Sequence, residues 1–488
     1  MTVSENRGEG SLKRHISCAA AGMAAALALA APAGAADWTA GAPSSGDPFF
    51  PQMGNGGYDV SHYSLDLDYD PATEVLDGSA AITLVPTQDL DQFNLDLRDW
   101  FGVSRVAVGI HPAAYFQEDG QELVVTPLPK LHAGRAYTVH VDYAGVPETV
   151  VDPDESFEGW VKNADGAFVV NEPQGAPGWF PVNDDPNDKA TYDFAITVPA
   201  GNVALGNGRL LSSVTDAGKT TWRWHEDSPM ASYLTTATNG DFDLTTDTGP
   251  NGLPIYNAID SKGDSAATDG FSAAQKTTAA QRFAAEPQII SVLSELWGPY
   301  PFSSAGAVID RGHVGYALES QTKPMYDGVP GQSTVVHELA HQWFGDSVTL
   351  SVWRDIWLAE GFARFSEWMY NERTGGQTAQ QQFNAATNYG VPDTDARWQS
   401  PPALIPEAKN LFSPSFVPYN RGAMTLQALR VKIGDAAFFP MMRAWFAENR
   451  NGNATTEDFI ALAERESGQQ LDAFFDVWLY TAGKPTSW

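Results

Sequence analysis

The sequence predicts an α+β chain, with an antiparallel β domain at residues 58–247 followed by a mainly helical domain at 248–488, and three observations predict it. From Tyr58 to about Asp243, short runs between turn residues alternate apolar and polar side chains, the period of half-buried strands. Beyond about Ala274 the apolar spacing becomes that of helices. A length of 488 residues calls for more than one domain, and 43% hydrophobic residues with 15 Trp are enough for large cores.

The first 36 residues read as a signal peptide. Lys13-Arg14 precede an alanine-rich apolar run from Ile16 to about Ala31, and Ala33-Gly34-Ala35 offers a small-residue cleavage site. Lys13-Arg14 only approximates a twin-arginine signal, so the export route stays open. The run is too short for a spanning helix, and no later stretch reaches about 18 uninterrupted apolar residues. A secreted, extracellular protein without a membrane span is expected. The single cysteine, Cys18, lies inside this segment, so disulfides are not expected to contribute. Residues 37–57, rich in Gly, Pro and Ser, predict a disordered lead-in.

In the β domain, Tyr63, Leu65, Leu67 and Tyr69 alternate with Ser64, Asp66 and Asp68. This predicts a strand whose acids, with Asp70, face solvent rather than form a calcium site. Further strands are predicted at Ala81–Val85, Leu123–Val125, Thr138–Tyr143, Tyr192–Val198 and Thr220–Trp224. Thr245 to Asp264, with its Gly, Pro, Asn and Asp, reads as the domain junction. A long helix is predicted from about Ala274 to Trp297, stopped by Gly298-Pro299, then a strand or edge segment at Val308–Leu318. Helical spacing returns at Gln377–Tyr389 and Gly422–Val431. Thr455-Thr456-Glu457-Asp458 predicts a capping box, and a last helix is expected at Leu471–Tyr480.

The chemistry is concentrated between His337 and Glu360. His337-Glu338-Leu339-Ala340-His341 sits in a stretch with apolar residues at Val335, Val336, Leu339, Ala340, Trp343 and Phe344, one buried helix face, with Ser333 as N-cap and Gly345 as stop. Histidines four apart on a helix lie one above the other, so both imidazoles can reach one metal ion. Glu338 sits beside the first histidine, where its carboxylate can serve a water as general base without ligating. Eighteen residues intervene between His341 and Glu360, which lies in the first turn of a second predicted helix, Ile356 to Arg373, that buries Phe362, Phe365 and Met369. Two imidazoles and one carboxylate leave a tetrahedral position open, the pattern of a catalytic zinc site holding one Zn2+ per chain. Glu367, seven residues after Glu360, either orients a histidine or is an ordinary solvated glutamate. His62, His111, His132, His140, His225 and His313 lack partners at ligand spacing and read as structural.

The run His337 to Thr349, followed by Trp357-Leu358-Ala359-Glu360-Gly361-Phe362-Ala363, resembles the aminopeptidase N family of zinc metallopeptidases, gluzincins with a spaced glutamate ligand. The resemblance implies a saddle-like N-terminal β domain, a thermolysin-like catalytic domain at 248–488, and peptide substrates with a free N-terminus. Tyr419-Asn420-Arg421-Gly422 is similar to the family's Tyr-x-Lys-Gly element, which implies that Tyr419 stabilises an oxyanion; Arg421 stands where the family has lysine. Tyr316-Ala317-Leu318-Glu319-Ser320 lies where the family has Gly-Ala-Met-Glu-Asn. That match implies that Ala317 and Glu319 contact substrate, Glu319 through the α-amine, and that Glu172 is a second acid of the first subsite. Tyr316 and Ser320 depart from the pattern, so strict aminopeptidase specificity is left open. An endopeptidase or another hydrolase with the same zinc site, and a secreted binding protein with a vestigial site, remain as alternatives.

The balance of 29 basic to 60 acidic side chains, a net charge of −31, argues against nucleic acid or an anionic membrane as partner. An acidic, solvated surface and a monomer are expected.

Overall fold

The strand predicted around Tyr63–Tyr69 spans Tyr58–Asp70, and its burial alternates along its length because one face lies on the core. The computed structural model describes residues 38–262, 270–388, 392 and 395–486. The expected signal peptide, with Lys13, Arg14 and Cys18, lies outside the described residues, as does Tyr389.

Tyr58–Asp70 pairs antiparallel with Val75–Pro86, which pairs with Tyr137–Gly145, and that strand with Phe101–Val108. On its other edge it takes Ala190–Pro199 in parallel, a connection between chain-distant strands that alternation alone does not reveal. Lys219–Met230 and Arg209–Asp216 complete that side of an eight-stranded sheet. Asp68 faces solvent as predicted, and both its oxygens accept from Lys219 Nζ at 2.7 and 2.6 Å. Smaller four- and five-stranded sheets complete the β-rich half.

The expectation of disorder at 37–57 is overturned for residues 38–57. Thr39–Ala40 pairs with the strand Leu90–Asp96. Phe50 is buried and packs edge-on to Trp353 at 5.9 Å, and Asp47 accepts the Trp353 N–H at 2.9 Å. Scattered apolar anchors, Phe50 and Met53 among them, outweigh a Gly- and Pro-rich composition here because the glycines serve turns between anchored points.

The junction read from Thr245 to Asp264 is a hairpin, Phe242–Thr248 against Pro254–Asp260, with its Pro-Asn-Gly at the turn. Its second strand pairs in parallel with Ala305–Ile309, so one sheet runs from one half of the chain into the other. The single helix expected at 274–297 is two, α1 (Ala273–Phe283) and α2 (Glu286–Trp297), because Pro287 lacks the N–H a continuous helix needs and starts a new one. Two helices carry the predicted metal ligands: α3 (Gln332–His341), capped at Gly331 rather than at Ser333, and α4 (Trp357–Arg373). There follow α5 (Ala379–Asn388), α6 (Gly422–Ile433), α7 (Asp435–Asn449), α8 (Thr456–Ser467) and α9 (Asp472–Phe475), the last running into a π-helical turn at Asp476–Tyr480. The capping box before α8 is formed as predicted, Thr455 and Asp458 each accepting the other's backbone N–H. α7 has no counterpart among the predicted helices; its run of Phe, Met and Trp carries an internal Pro440 that blurs the helical period.

The β-rich half also braces the end of the α3 segment. Lys189, entering Ala190–Pro199, sends its buried ammonium to the carbonyls of Asp346, Ser347 and Gly452 at 2.8, 3.1 and 3.3 Å.

Candidate active site

α3 buries Val335, Val336, Leu339 and Ala340 in the core of the helical half, which leaves His337, Glu338 and His341 on the side facing α4 and a cavity. The cavity measures about 250 Å³ and is lined by these three together with Glu360, Glu319 and Tyr419 among others.

His337 Nε2 lies 3.0 Å and His341 Nε2 3.4 Å from the same oxygen, Glu360 Oε2. The other ring nitrogens are engaged elsewhere: His337 Nδ1 meets Glu367 Oε1 at 2.8 Å, and His341 Nδ1 donates to the Phe344 carbonyl at 3.0 Å. Both Nε2 atoms are thereby the ones presented to a shared ligand. Donor atoms of His337, His341 and Glu360 all lie within 4.8 Å of one another. Burial opposes charge on His337, yet the Glu360 and Glu367 carboxylates hold its pKa well above the ordinary value. Burial likewise opposes charge on Glu360, but the two imidazoles pull it down to about 2. The three groups thus favour a positive charge placed among them. Two imidazole nitrogens and a carboxylate oxygen match the ligand chemistry of zinc.

Glu319 and Glu338 form a second convergent set with His341, again within 4.8 Å. That set offers one imidazole against the first set's two, and its His341 Nε2 already lies 3.4 Å from Glu360, so the first set fits zinc better. Burial raises Glu338 to about 8 against the lowering influence of both imidazoles. A carboxyl poised in that range can give and take a proton near neutrality.

Glu319 follows the short strand Ala317–Leu318, and Ala317 lines the cavity. Glu319 is buried, and its Oε1 has no hydrogen-bond partner among the described residues. Glu172 is not among the lining residues, but its carboxyl is near enough to Glu319 for the two to repel. Its Oε1 is equally unpartnered, and its pKa is raised well above the ordinary value, by burial first and Glu319 second. Tyr316, the departure from the family pattern, stands at the rim and donates its hydroxyl to the Phe157 carbonyl at 2.7 Å.

Tyr419 sits on a π-helical turn, Phe416–Arg421, that runs into α6. Its ring lies nearly parallel to the His337 imidazole, 5.7 Å between centroids and 21° between planes, and burial first and the Glu360 carboxylate second raise the pKa of its hydroxyl well above the ordinary value. α4 and α6 can approach so closely because Gly361 and Gly422 meet: a Cβ on either would lie 2.8 Å from the other's Cα. Beside it the Arg421 guanidinium is fully buried and donates to the carbonyls of Trp478, Trp398, Ser400, Val477 and Thr481. Its role is to brace the backbone, and it is not among the residues lining the cavity.

Two residues of the site were undecided or missed in the sequence. Glu367 is a buried partner of His337 rather than a solvated glutamate, held in turn by Arg364 Nη1 at 3.1 and 2.9 Å. Arg364 also lines the cavity. The signal was their spacing: positions 360, 364 and 367 fall at i, i+4 and i+7, one face of α4.

The comparisons agree with this geometry. Residues 59–234 match the peptidase M1 N-terminal domain and residues 316–478 the peptidase family M1 domain. Aminopeptidase M1 of Arabidopsis thaliana is 26% identical over 65% of this chain, and human endoplasmic reticulum aminopeptidase 1 is 27% identical over 71%. The chain spans 37% and 38% of the length of these two relatives. An M1 zinc metallopeptidase from Deinococcus radiodurans superposes with a TM-score of 0.78 at 27% identity, covering 91% of this chain and 98% of that one. A mutant of it bound to a Tyr-Ser-Ala substrate gives 0.79 at the same identity and coverage. Both domain models are matched in order and the fold is shared over nearly the whole of a solved two-domain relative, so this chain belongs to the aminopeptidase N-like M1 family of zinc metallopeptidases.

Proposed function

We propose that the chain is a secreted zinc-dependent aminopeptidase that removes N-terminal residues from peptides, acting as a monomer. The observation that carries this reading is the meeting, in one cavity, of the His337, His341 and Glu360 donors with Glu338 and the unpartnered Glu319 carboxylate. Secretion rests on the basic and apolar pattern of residues 1–36 alone.

His337, His341 and Glu360 would hold a zinc ion, whose Lewis acidity would polarise the scissile carbonyl and make the attacking water more acidic. Glu338 accepts the proton of that water and delivers it to the departing amine nitrogen. The Tyr419 hydroxyl donates to the oxygen of the carbonyl under attack as negative charge develops there. Glu319 and Glu172 hold the substrate ammonium between two buried carboxylates whose unpartnered oxygens need a donor. Residues 58–247 thus contribute Glu172 and residues 248–488 the remaining groups. Peptide substrates are supported by the Tyr-Ser-Ala complex of the similar Deinococcus enzyme.

The test is hydrolysis of a panel of aminoacyl fluorogenic amides and their N-acetylated counterparts, with and without a chelator. Chelator-sensitive cleavage of the free amines alone is expected. Equal cleavage of the acetylated forms would remove Glu319 and Glu172 from amine binding and favour an endopeptidase.

A further inference from the structure

His337 is oriented by a side chain, Glu367, but His341 is oriented by backbone: its Nδ1 donates to the Phe344 carbonyl at 3.0 Å. The His341 ring therefore faces the Glu360 oxygen only while residues 344–347 hold their place. These residues run against the ring. Gly345 has φ +129°, and a Cβ there would lie 3.0 Å from His341 Nδ1. Glycine is the residue least able to hold such a turn by itself, and because peptide planes are rigid, a rotation at Gly345 carries the Phe344 carbonyl with it.

The three carbonyls after Phe344 are each held by a donor from the β-rich half. The Tyr233 hydroxyl donates to Gly345 at 3.3 Å, and Lys189 Nζ donates to Asp346 at 2.8 Å and to Ser347 at 3.1 Å. The remaining bond of the Lys189 ammonium goes to Gly452 at 3.3 Å, in the strand Gly452–Ala454 that pairs with Val348–Leu350 just beyond the turn. Both donors are themselves fixed. Tyr233 is buried in the short helical turn Ser232–Leu234 and packs edge-on to Trp353, 5.2 Å between centroids. Lys189 stands between the strand Ala190–Pro199 and Asp188, whose Oδ1 accepts the Val60 N–H at 2.8 Å.

We propose that Lys189 and Tyr233 are positioning residues of the metal centre: by clamping the carbonyls of residues 345–347 they fix the Phe344 acceptor and, through it, the His341 imidazole. The β-rich half thereby sets the affinity of a site whose three ligands all lie in the helical half. The bonds from Lys189 are charge-assisted, so its ammonium is the stronger part of the clamp and the neutral hydroxyl the weaker. The inference depends on the ligand set and is indifferent to which peptides the enzyme takes.

The experiment takes the full chain as wild type, Lys189→Met and Tyr233→Phe. It reads zinc affinity by competition with a chromogenic chelator, the visible absorption of the Co2+-loaded protein, and urea midpoints of the zinc-loaded and metal-stripped forms. Zinc affinity should fall about tenfold in Lys189→Met and about threefold in Tyr233→Phe, with an altered Co2+ spectrum in both. The gap between loaded and stripped midpoints should narrow accordingly, because zinc then adds less to the stability of the folded state. A role confined to joining the two halves gives a different result: both midpoints drop together while affinity and spectrum stay as in the wild type, and that outcome would overturn the inference. Tyr233→Phe removes a single oxygen, so it decides the matter alone if Lys189→Met does not fold. A wild type that takes up no zinc would overturn the ligand set and the clamp together, whereas the failure of any peptide to be cleaved bears on the aminopeptidase reading alone.

Discussion

At the scale of single residues the site is a set of charges that need one another. His337 can present Nε2 only because Glu367 takes Nδ1, and Glu367 is itself steadied by Arg364. Removing the middle of this relay in Glu367→Ala should weaken zinc affinity by about 10–100-fold, since such partners fix the tautomer and orientation of a ligating imidazole. Competitive titration with a zinc chelator measures it, and an unchanged affinity would reduce Glu367 to packing. His337, Glu338 and His341 were legible because helical spacing alone brings them together, and Glu360 through its spacing from His341 at the head of a second predicted helix. Glu367 was half legible: the spacing put it on the right face, but nothing in the sequence distinguishes a buried glutamate from a solvated one. Glu319, Glu172 and Tyr419 were legible only through resemblance, because they reach the cavity from a short strand, a β-rich segment and a π-helical turn far apart in the chain.

At the scale of elements, what matters is how α4 and the Tyr419 segment are held together. Gly361 and Gly422 let their backbones touch. Gly422→Ala should therefore push α6 off α4, at a cost of about 1–3 kcal/mol in urea unfolding and with a fall in kcat as Tyr419 moves. Arg421 holds the other side. Arg421→Lys, the residue the family pattern would have led one to expect, replaces a five-donor fork with a single ammonium that cannot reach all five carbonyls. A loss of about 1–3 kcal/mol is expected from the orphaned acceptors, read as a lower urea midpoint at unchanged slope. Element types were easier to foresee than their breaks. Pro287 was a visible signal for the split between α1 and α2, overridden by a continuous apolar period on either side. The hairpin at 242–260 was taken for a junction because its turn residues are the same ones that mark linkers. Long-range pairings, such as Ala190–Pro199 beside Tyr58–Asp70, leave no local trace at all.

At the scale of the whole molecule, the formal charge of −31 overstates what the folded protein carries near neutrality, because many of its acids are buried. Burial raises Asp184 and Glu226 to about 7, and Asp188, Glu286 and Asp310 to about 8, from ordinary values of 3.8 for Asp and 4.5 for Glu. Each binds its proton more tightly folded than unfolded. Its contribution is therefore fully present below about pH 4 and is lost as the pH rises through 7 to 8. Two buried lysines act in the opposite direction but elsewhere on the scale. Burial lowers Lys189 and Lys323 to about 7 from 10.5, so between those values the unfolded chain holds the extra proton and stability rises with pH. The carboxyls thus act alone between about pH 4 and 7, and above that the lysines offset them. Thermal unfolding of the metal-stripped protein, chosen so that zinc release does not enter, should give a higher midpoint at about pH 5 than at about pH 7, with a flatter dependence above. A midpoint that climbed steadily from about pH 5 to 7 would mean that these carboxyls are ionised in the folded state, balanced by water or cations beside them.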